Sequence, residues 1–180
     1  MQKTITVNIE KCLACRSCEI ACALAHSESK VLQEAVNESP RPQRRVTVET
    51  AEGFAVPIQC RHCADAPCVT VCPTGAIHRH KPEDPVLIDK EKCIGCKFCL
   101  IACPFGVIDI TRDGKAVVKC DLCIERTKAG EEPACVQACP TGALKLADEE
   151  QLAAEKRART ACGLVTASKK ERETLQENSQ

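Results

Sequence analysis

The sequence predicts an α+β fold, in which a small unit of short strands, hairpins and one-to-two-turn helices is duplicated and a helical tail follows. Three observations predict it. Sixteen of the 17 cysteines fall into four groups of four, the groups are related in pairs, and the 180 residues include three Phe but no Trp or Tyr. Because so few aromatic side chains cannot fill a conventional core, something else must occupy the interior.

The spacing of the cysteines recurs in every group, except that the second gap is stretched to four residues in the second group and to eleven in the fourth. In chain order the groups are Cys12-x2-Cys15-x2-Cys18-x3-Cys22, Cys60-x2-Cys63-x4-Cys68-x3-Cys72-Pro73, Cys93-x2-Cys96-x2-Cys99-x3-Cys103-Pro104 and Cys120-x2-Cys123-x11-Cys135-x3-Cys139-Pro140. The third group is the bacterial ferredoxin pattern, and the first lacks only the proline. Three cysteines on a tight loop can bind one face of a [4Fe–4S] cube, while the fourth, a helical turn further on, is free to complete a different cluster. The pattern therefore predicts [4Fe–4S] clusters.

Other uses of cysteine fit less well. A content of 17 in 180, about 9%, is typical of disulfide scaffolds only in short secreted chains, and residues 1–8 lack the charged and apolar regions of a signal peptide. Structural zinc uses two separated Cys-x-x-Cys pairs and does not need the additional, closely spaced cysteines. No Cys-x-x-Cys precedes a His, as in c-type haem attachment, and none stands alone, as in a thioredoxin-like site. No run approaches 18 apolar residues. We therefore expect a cytoplasmic chain without a membrane span.

The elements follow from local patterns. Apolar and β-branched runs predict strands at residues 5–9, 45–50, 54–58, 86–88, 107–111 and 116–119. Glu52-Gly53 and Asp113-Gly114 are turn signals that should close two of these pairs into hairpins. A short helix should follow the third cysteine of each group. Residues 27–43, with Pro40 and Pro42, predict a loop and a short helix.

The groups repeat in pairs along the chain. Residues 11–22, KCLACRSCEIAC, align with residues 92–103, KCIGCKFCLIAC. Residues 68–77, CVTVCPTGAI, align with residues 135–144, CVQACPTGAL. A duplicated two-cluster unit is the simplest explanation.

The order of the groups resembles a known family. This order is similar to that in the four-cluster electron-transfer subunits of dimethyl sulfoxide reductase, formate dehydrogenases, formate hydrogenlyase, carbon monoxide dehydrogenase and tungsten aldehyde oxidoreductases. Four short sequence segments add to the resemblance: Cys60-Arg61-His62-Cys63, Ala66-Pro67-Cys68, Cys72-Pro73-Thr74-Gly75-Ala76 and Lys119-Cys120-Asp121-Leu122-Cys123. The resemblance covers about residues 4–147. It implies a duplicated bacterial 2[4Fe–4S] ferredoxin-like fold with four [4Fe–4S] clusters.

The resemblance also implies that the groups cross-pair, the first with the fourth and the second with the third. The ligands would be Cys12, Cys15, Cys18 and Cys139 for cluster 1; Cys120, Cys123, Cys135 and Cys22 for cluster 2; Cys60, Cys63, Cys68 and Cys103 for cluster 3; and Cys93, Cys96, Cys99 and Cys72 for cluster 4. The corresponding units are residues 1–26 plus 115–147 and residues 59–114, with a connecting loop and hairpin at 27–58 and a docking tail at 148–180. Cys162 lies outside every group and is expected to bind no cluster. Ala23 replaces the proline after the first group, and we expect this departure to matter little.

The charge balance bears on partners. Lys and Arg number 25, as do Asp and Glu, which argues against a nucleic-acid partner. An oxidised cluster with four thiolates carries −2, so four clusters would bring the formal charge of 0 to about −8. Basic residues beside the cysteines can offset this locally, although each by itself is expected to be a solvated side chain. They are Lys11, Arg16, Arg61, Lys92, Lys97 and Lys119. Backbone N–H groups of the cysteine loops should hydrogen-bond the sulfurs.

No catalytic residue is expected. All sixteen ligand positions are thiolates, the chain has no dinucleotide or P-loop motif, and His26, His62, His78 and His80 are expected at the surface or beside ligands. The chain is therefore expected to move electrons. It would do so as a subunit bound to a catalytic oxidoreductase, with a flavin or hydrogenase subunit as a further partner. The resemblance favours a tungsten or molybdenum enzyme acting on an aldehyde or formate, then carbon monoxide dehydrogenase or hydrogenase. The alternative is a free polyferredoxin or a filament-forming electron-conducting scaffold.

The tail, residues 148–180, has no cluster ligand, but its sequence predicts helix. Asp148-Glu149-Glu150-Gln151 resembles a capping box, Gly163 offers a left-handed stop, and Ser168-Lys169-Lys170-Glu171 is a second box. Two short helices are therefore predicted. They would form an arm that docks on the catalytic subunit or on another copy of the chain, which permits filaments; a frayed tail is the alternative.

Overall fold

Short strands and small helices alternate in the computed structural model, which describes residues 3–177, with side chains through residue 169. The strands are β1 (Lys3–Val7), β2 (Val46–Ala51), β3 (Phe54–Gln59), β4 (Ile77–His78), β5 (Leu87–Ile88), β6 (Asp109–Ile110), β7 (Val117–Val118) and β8 (Leu144–Asp148). The helices are α1 (Ser17–Ala25), α2 (Leu32–Ala35), α3 (Pro67–Thr70), α4 (Phe98–Ala102), α5 (Ile124–Lys128), α6 (Ala134–Gln137) and α7 (Glu149–Glu177). The predicted mixture of short strands and small helices is confirmed. The 2[4Fe–4S] duplication stays a prediction.

The strands form antiparallel pairs. β2 pairs with β3, β4 with β5, and β6 with β7, while β1 pairs with the distant β8 in a register from Lys3 opposite Asp148 to Val7 opposite Leu144. Ile5 and Leu144 point inward from this last pair and are almost fully buried. The strand that leads into the first cysteine group thus lies beside the strand that leaves the fourth.

Both predicted hairpins form. In β2–β3 the turn residues Glu52 and Gly53 have φ of +51° and +83°, the left-handed conformation that matches the twist of a two-residue hairpin. β1 ends at Val7, so the predicted strand to residue 9 is too long. The reason is Asn8, whose side chain accepts a hydrogen bond from the Glu10 N–H at 3.1 Å and caps a 3₁₀ turn over Ile9–Lys11.

The described side chains form two apolar cores, and both contain cysteines. The first includes Ile5, Val46, Leu122, Val136 and Leu144 with cysteines of the first and fourth groups. The second consists of Ile77, Val86, Ile108 and Val117 with cysteines of the second and third groups. The β2–β3 hairpin packs into the first core, and the β6–β7 hairpin crosses the predicted unit boundary at residues 114 and 115. The division into units stays a prediction.

A short helix begins one residue before the third cysteine of every group, at Ser17, Pro67, Phe98 and Ala134. In the last three groups the helix ends before Cys-Pro, because proline cannot continue it. Helix α1 instead runs through the fourth cysteine of its group to Ala25. The expectation that Ala23 would matter little is therefore wrong for the backbone: without proline the helix is longer.

The tail forms one helix, so the predicted break at Gly163 is wrong. The capping box is confirmed, since the Gln151 N–H donates to Asp148 Oδ1 at 2.9 Å and the Asp148 N–H donates to Gln151 Oε1 at 3.2 Å. A single glycine costs a helix only about 1 kcal/mol relative to alanine, which does not suffice to end it. Residues 1–2 and 178–180 of the predicted units lie outside the described residues. Among the described helices none combines the length and apolarity needed to cross a membrane.

Candidate iron–sulfur sites

The cysteine loops share one backbone feature. The residue before the second cysteine is left-handed in each group: Ala14, His62, Gly95 and Leu122 have φ of +56°, +48°, +67° and +58°. A left-handed residue within a turn points successive backbone N–H groups toward one concavity, a geometry that binds anions and recurs at iron–sulfur sites. The sequence pattern thus produces four similar N–H-lined loops.

Backbone N–H groups reach the sulfur atoms, as expected from the sequence. The His62 N–H donates to Cys60 Sγ at 3.4 Å, and the Leu122 N–H donates to Cys120 Sγ at the same distance. The Arg45 N–H donates to Cys22 Sγ at 3.2 Å from outside the cysteine groups. Such bonds stabilise a negative charge on sulfur and are one of the factors that set cluster potentials.

The second and third groups meet in two cavities. One cavity is lined by Cys60, Cys63, Cys68 and Cys103. The other is lined by Cys72, Cys93, Cys96 and Cys99. In both, three cysteines of one group lie with the last cysteine of the other group.

The first and fourth groups also meet, in the first core. Cys18, Cys22 and Cys135 are buried together in the first core, and Cys12 and Cys139 pack against them. Burial raises the pKa of the Cys120 thiol well above its usual value, and the neighbouring charges of Cys22 and Cys135 raise it further. The pKa of Cys15 is lowered, chiefly by the hydrogen bond with the Ser17 side chain, and Cys139 opposes this shift electrostatically. These contacts bring the last cysteine of each group to the other group.

The donor set fits an iron–sulfur cofactor. Burial raises the pKa of Cys18 to about 11 and that of Cys22 to about 12, so without a metal these thiols are neutral near pH 7. Iron coordination requires thiolates, and a metal supplies the positive charge that makes buried thiolates tolerable. The cavities combine sulfur donors with N–H groups directed at them, which suits an anionic cluster.

Two cysteines reach the surface at equivalent positions. Cys15 and Cys96, the second cysteines of the first and third groups, are exposed. Cys162 is also exposed and lies on α7, away from the four groups.

A charged network surrounds the first cysteine loop of the fourth group, and sequence reasoning missed it. Asp121 Oδ2 lies 2.5 Å from Arg45 Nη1, and Asp121 Oδ1 lies 3.1 Å from His26 Nε2. Asp121 Oδ1 also accepts a hydrogen bond from the Cys123 N–H at 3.0 Å. Burial alone would raise the pKa of Asp121, but the His26 hydrogen bond and the Arg45 guanidinium hold it well below its usual range. The only sequence signal was the acidic residue inside a Cys-x-x-Cys loop.

Five of the six basic residues beside the cysteines are exposed, as expected. Lys119 is the exception, since it is only 3% exposed. His62 is buried as well, and its Nδ1 accepts a hydrogen bond from the Val86 N–H at 3.0 Å. Burial lowers the pKa of His62 to about 3, and the Lys119 ammonium contributes in the same direction.

Family comparison agrees with this geometry. Residues 51–149 match the 4Fe-4S dicluster domain, and residues 9–25 match a 4Fe-4S binding domain. The chain belongs to the 4Fe-4S dicluster family. The chain therefore binds [4Fe–4S] clusters, and the predicted cofactor type is confirmed.

Relatives of the chain are named as iron–sulfur or electron-transfer proteins. An iron–sulfur protein of Rhodospirillum rubrum is 43% identical over 157 residues, which cover 80% of this chain and 81% of the relative. The electron transport protein HydN of Escherichia coli strain K12 is 40% identical over 179 residues, with 89% and 98% covered. The thiosulfate reductase electron transfer subunit PhsB of Salmonella typhi is 37% identical over 146 residues, with 79% and 75% covered. The predicted iron–sulfur electron-transfer class is confirmed.

Proposed function

We propose that the chain binds four [4Fe–4S] clusters and relays electrons through them between a catalytic oxidoreductase subunit and a redox acceptor. The proposed ligand sets are those given above for clusters 1 to 4, with Cys162 unligated. One observation supports the proposal: in the second and third groups, the last cysteine of each group lines a cavity with three cysteines of the other group, and the two cavities are separate. Cysteines of the first and fourth groups lie together in the first core.

The bound clusters would supply one-electron transfer. The chain would supply the thiolates, the N–H groups that face the sulfurs, and a buried setting of low dielectric constant. Exposure of Cys15 and Cys96 supports one surface contact at cluster 1 and another at cluster 4, so that electrons enter at one and leave at the other. No catalytic residue is part of the proposal.

For the partner, we favour a tungsten or molybdenum enzyme acting on an aldehyde or formate, followed by carbon monoxide dehydrogenase or hydrogenase. The subunit role is supported by the relative named as a thiosulfate reductase electron transfer subunit. A second candidate is a free polyferredoxin, which the name of the relative HydN, electron transport protein, favours. A filament-forming scaffold is a variant of it, supported by the long exposed helix α7.

The ligand sets are tested by single cysteine variants of the holoprotein. Wild type should contain about sixteen iron atoms per chain, four for each cluster. Because of cross-pairing, Cys103→Ser should alter the same EPR signal as Cys63→Ser and a different one from Cys96→Ser. Cys162→Ser, the control, should retain all the iron. If Cys103→Ser and Cys96→Ser alter the same signal, the ligands pair within groups and the proposal is wrong.

The partner is tested by purification of the tagged chain from its native host under anaerobic conditions. Co-purification of a large subunit containing tungsten or molybdenum would support the favoured partner, and nickel would support a runner-up. A monomeric brown protein with no associated subunit would contradict the subunit role and support the polyferredoxin.

A further inference from the structure

Lys119 carries a positive charge into the interior. Its side chain is 3% exposed, and its Nζ donates hydrogen bonds to the backbone carbonyls of Cys120, at 2.9 Å, and Val86. Both acceptors are uncharged. No ion pair found among the described side chains includes Lys119. Asp121 lies in the same region but pairs with Arg45 and His26. A buried ammonium without an ion-pair partner is costly, so a further negative charge close to Lys119 would stabilise the fold.

The position of Lys119 links two cysteine groups. The Val86 carbonyl accepts from Lys119, and the Val86 N–H donates to Nδ1 of His62 at 3.0 Å. His62 lies between Cys60 and Cys63, whereas Lys119 directly precedes Cys120. A hydrogen-bonded chain of Lys119, Val86 and His62 therefore connects the fourth group to the second.

Val86 also lines the cavity of the second group. It lies there with Cys60, Cys63, Cys68 and Cys103, and its carbonyl accepts a hydrogen bond from Lys119. The ammonium is therefore one residue away from the sulfur atoms of proposed cluster 3.

We infer that Lys119 is a positioning residue for electron transfer, whose buried ammonium is the counter-charge of clusters 2 and 3 and makes their reduction more favourable. The inference rests on the proposed ligand sets. Reduction adds one electron to a cluster without making or breaking a bond to Lys119. A positive charge held in a medium of low dielectric constant stabilises that electron more than an exposed, solvent-screened lysine does.

The test is a potentiometric titration of the purified holoproteins, followed by EPR. Lys119→Gln should make reduction of one or two of the four clusters at least tenfold less favourable, a shift of about 59 mV to lower potential for one electron. In Lys119→Arg, which retains the charge, the equilibrium constant for reduction of each cluster should stay within threefold of the wild-type value. Lys92→Gln is the matched control: Lys92 also precedes the first cysteine of its group, but its side chain is 63% exposed and pairs with Asp89. The equilibrium constants for cluster reduction in Lys92→Gln should also stay within threefold of the wild-type values.

Unchanged potentials in a fully loaded Lys119→Gln protein would overturn the inference. If that variant does not retain its iron, Lys119→Met and Lys119→Arg decide. If the arginine variant retains all its iron and both neutral variants lose iron, the counter-charge role is supported. If all three variants lose iron, Lys119 has a packing role and the inference is overturned. A wild-type protein without four clusters would contradict the proposed function; four clusters with no shift in the neutral variants contradict only the role of Lys119.

Discussion

Asp121 connects three parts of the chain at one side chain. It binds Arg45 from the start of the β2–β3 hairpin, His26 from the end of α1, and the N–H of Cys123 in its own loop. The Arg45 side chain is only 13% exposed, so its guanidinium depends on this carboxylate for charge compensation. The same arginine donates its backbone N–H to Cys22 Sγ, which places the network against a proposed ligand.

Asp121→Asn should destabilise the holoprotein by about 3 kcal/mol, because it leaves a buried guanidinium without its anion. The measurement is urea unfolding of the loaded protein, with iron release recorded in parallel. Asp109→Asn changes an exposed carboxylate and is the control. An Asp121→Asn midpoint equal to that of the control would show that the network contributes nothing to stability.

At this scale the sequence identifies the cysteines but not their polar neighbours. Spacing alone predicts the sixteen thiols as ligands, because [4Fe–4S] clusters are bound by closely spaced cysteines. Lys119 and Lys92 have the same sequence context before a first cysteine, yet one is buried and the other exposed. The difference depends on Val86, which is far away in sequence, so no local pattern reveals it.

Among the elements, the first and third cysteine loops have the same backbone but different constraints. Ala14 and Gly95 occupy equivalent positions of the internal repeat, and both are left-handed. Alanine at position 14 shows that this fold tolerates a side chain in that conformation. At Gly95, however, a Cβ atom would lie 2.6 Å from the backbone oxygen of Lys115 in the turn between β6 and β7.

Gly95→Ala should therefore displace the β6–β7 turn or the third cysteine loop, at a cost of about 1–3 kcal/mol. The expected results are a lower unfolding midpoint and a changed EPR signal for the cluster bound by Cys96. Ala14→Gly, the control, removes a methyl group at the equivalent position and should leave the EPR spectrum unchanged. Equal behaviour of the two variants would show that the Lys115 contact imposes no constraint.

Through residue 169, helix α7 has little contact with the rest of the chain. Its side chains are exposed along nearly the whole described length, including Leu164 at 68% and Val165 at 55%. Deletion of residues 149–180 retains Asp148, which belongs to β8, and should leave iron content and colour unchanged while reducing the size of the assembly. Size-exclusion chromatography with light scattering measures this. If the truncated chain assembles with itself and its partner as the full chain does, α7 is not a docking arm.

For the whole molecule, local signals predict hairpins but not long-range pairing. Glu52-Gly53 and Asp113-Gly114 identify β2–β3 and β6–β7 because turn chemistry is encoded within a few residues. The β1–β8 pair joins residues about 140 positions apart, and nothing in either strand specifies its partner. Only the family resemblance implied that the first and fourth cysteine groups meet. The continuous α7 was missed because a glycine weakens a helix without obliging it to end.

Both cores include cysteines where other proteins have large side chains, so we expect the fold to depend on iron. With three Phe and no Trp or Tyr, the apolar area available to offset conformational entropy is small. Burial also raises the pKa of Cys18 to about 11 and that of Cys22 to about 12. Without iron these thiols are therefore neutral, and no shared metal links the cysteine loops. Cluster binding free energy is therefore part of the folding free energy.

Removal of iron with a chelator under reducing conditions should abolish cooperative unfolding, increase the hydrodynamic radius and reduce the far-UV circular dichroism signal. Reconstitution with iron and sulfide should restore all three. Treatment with the reductant alone is the control, since it tests whether disulfides contribute. The truncated chain lacking residues 149–180 should respond in the same way, because α7 lies outside both cores. An iron-free chain with the radius and sharp transition of the loaded protein would mean that Val, Ile and Leu contacts suffice for the fold.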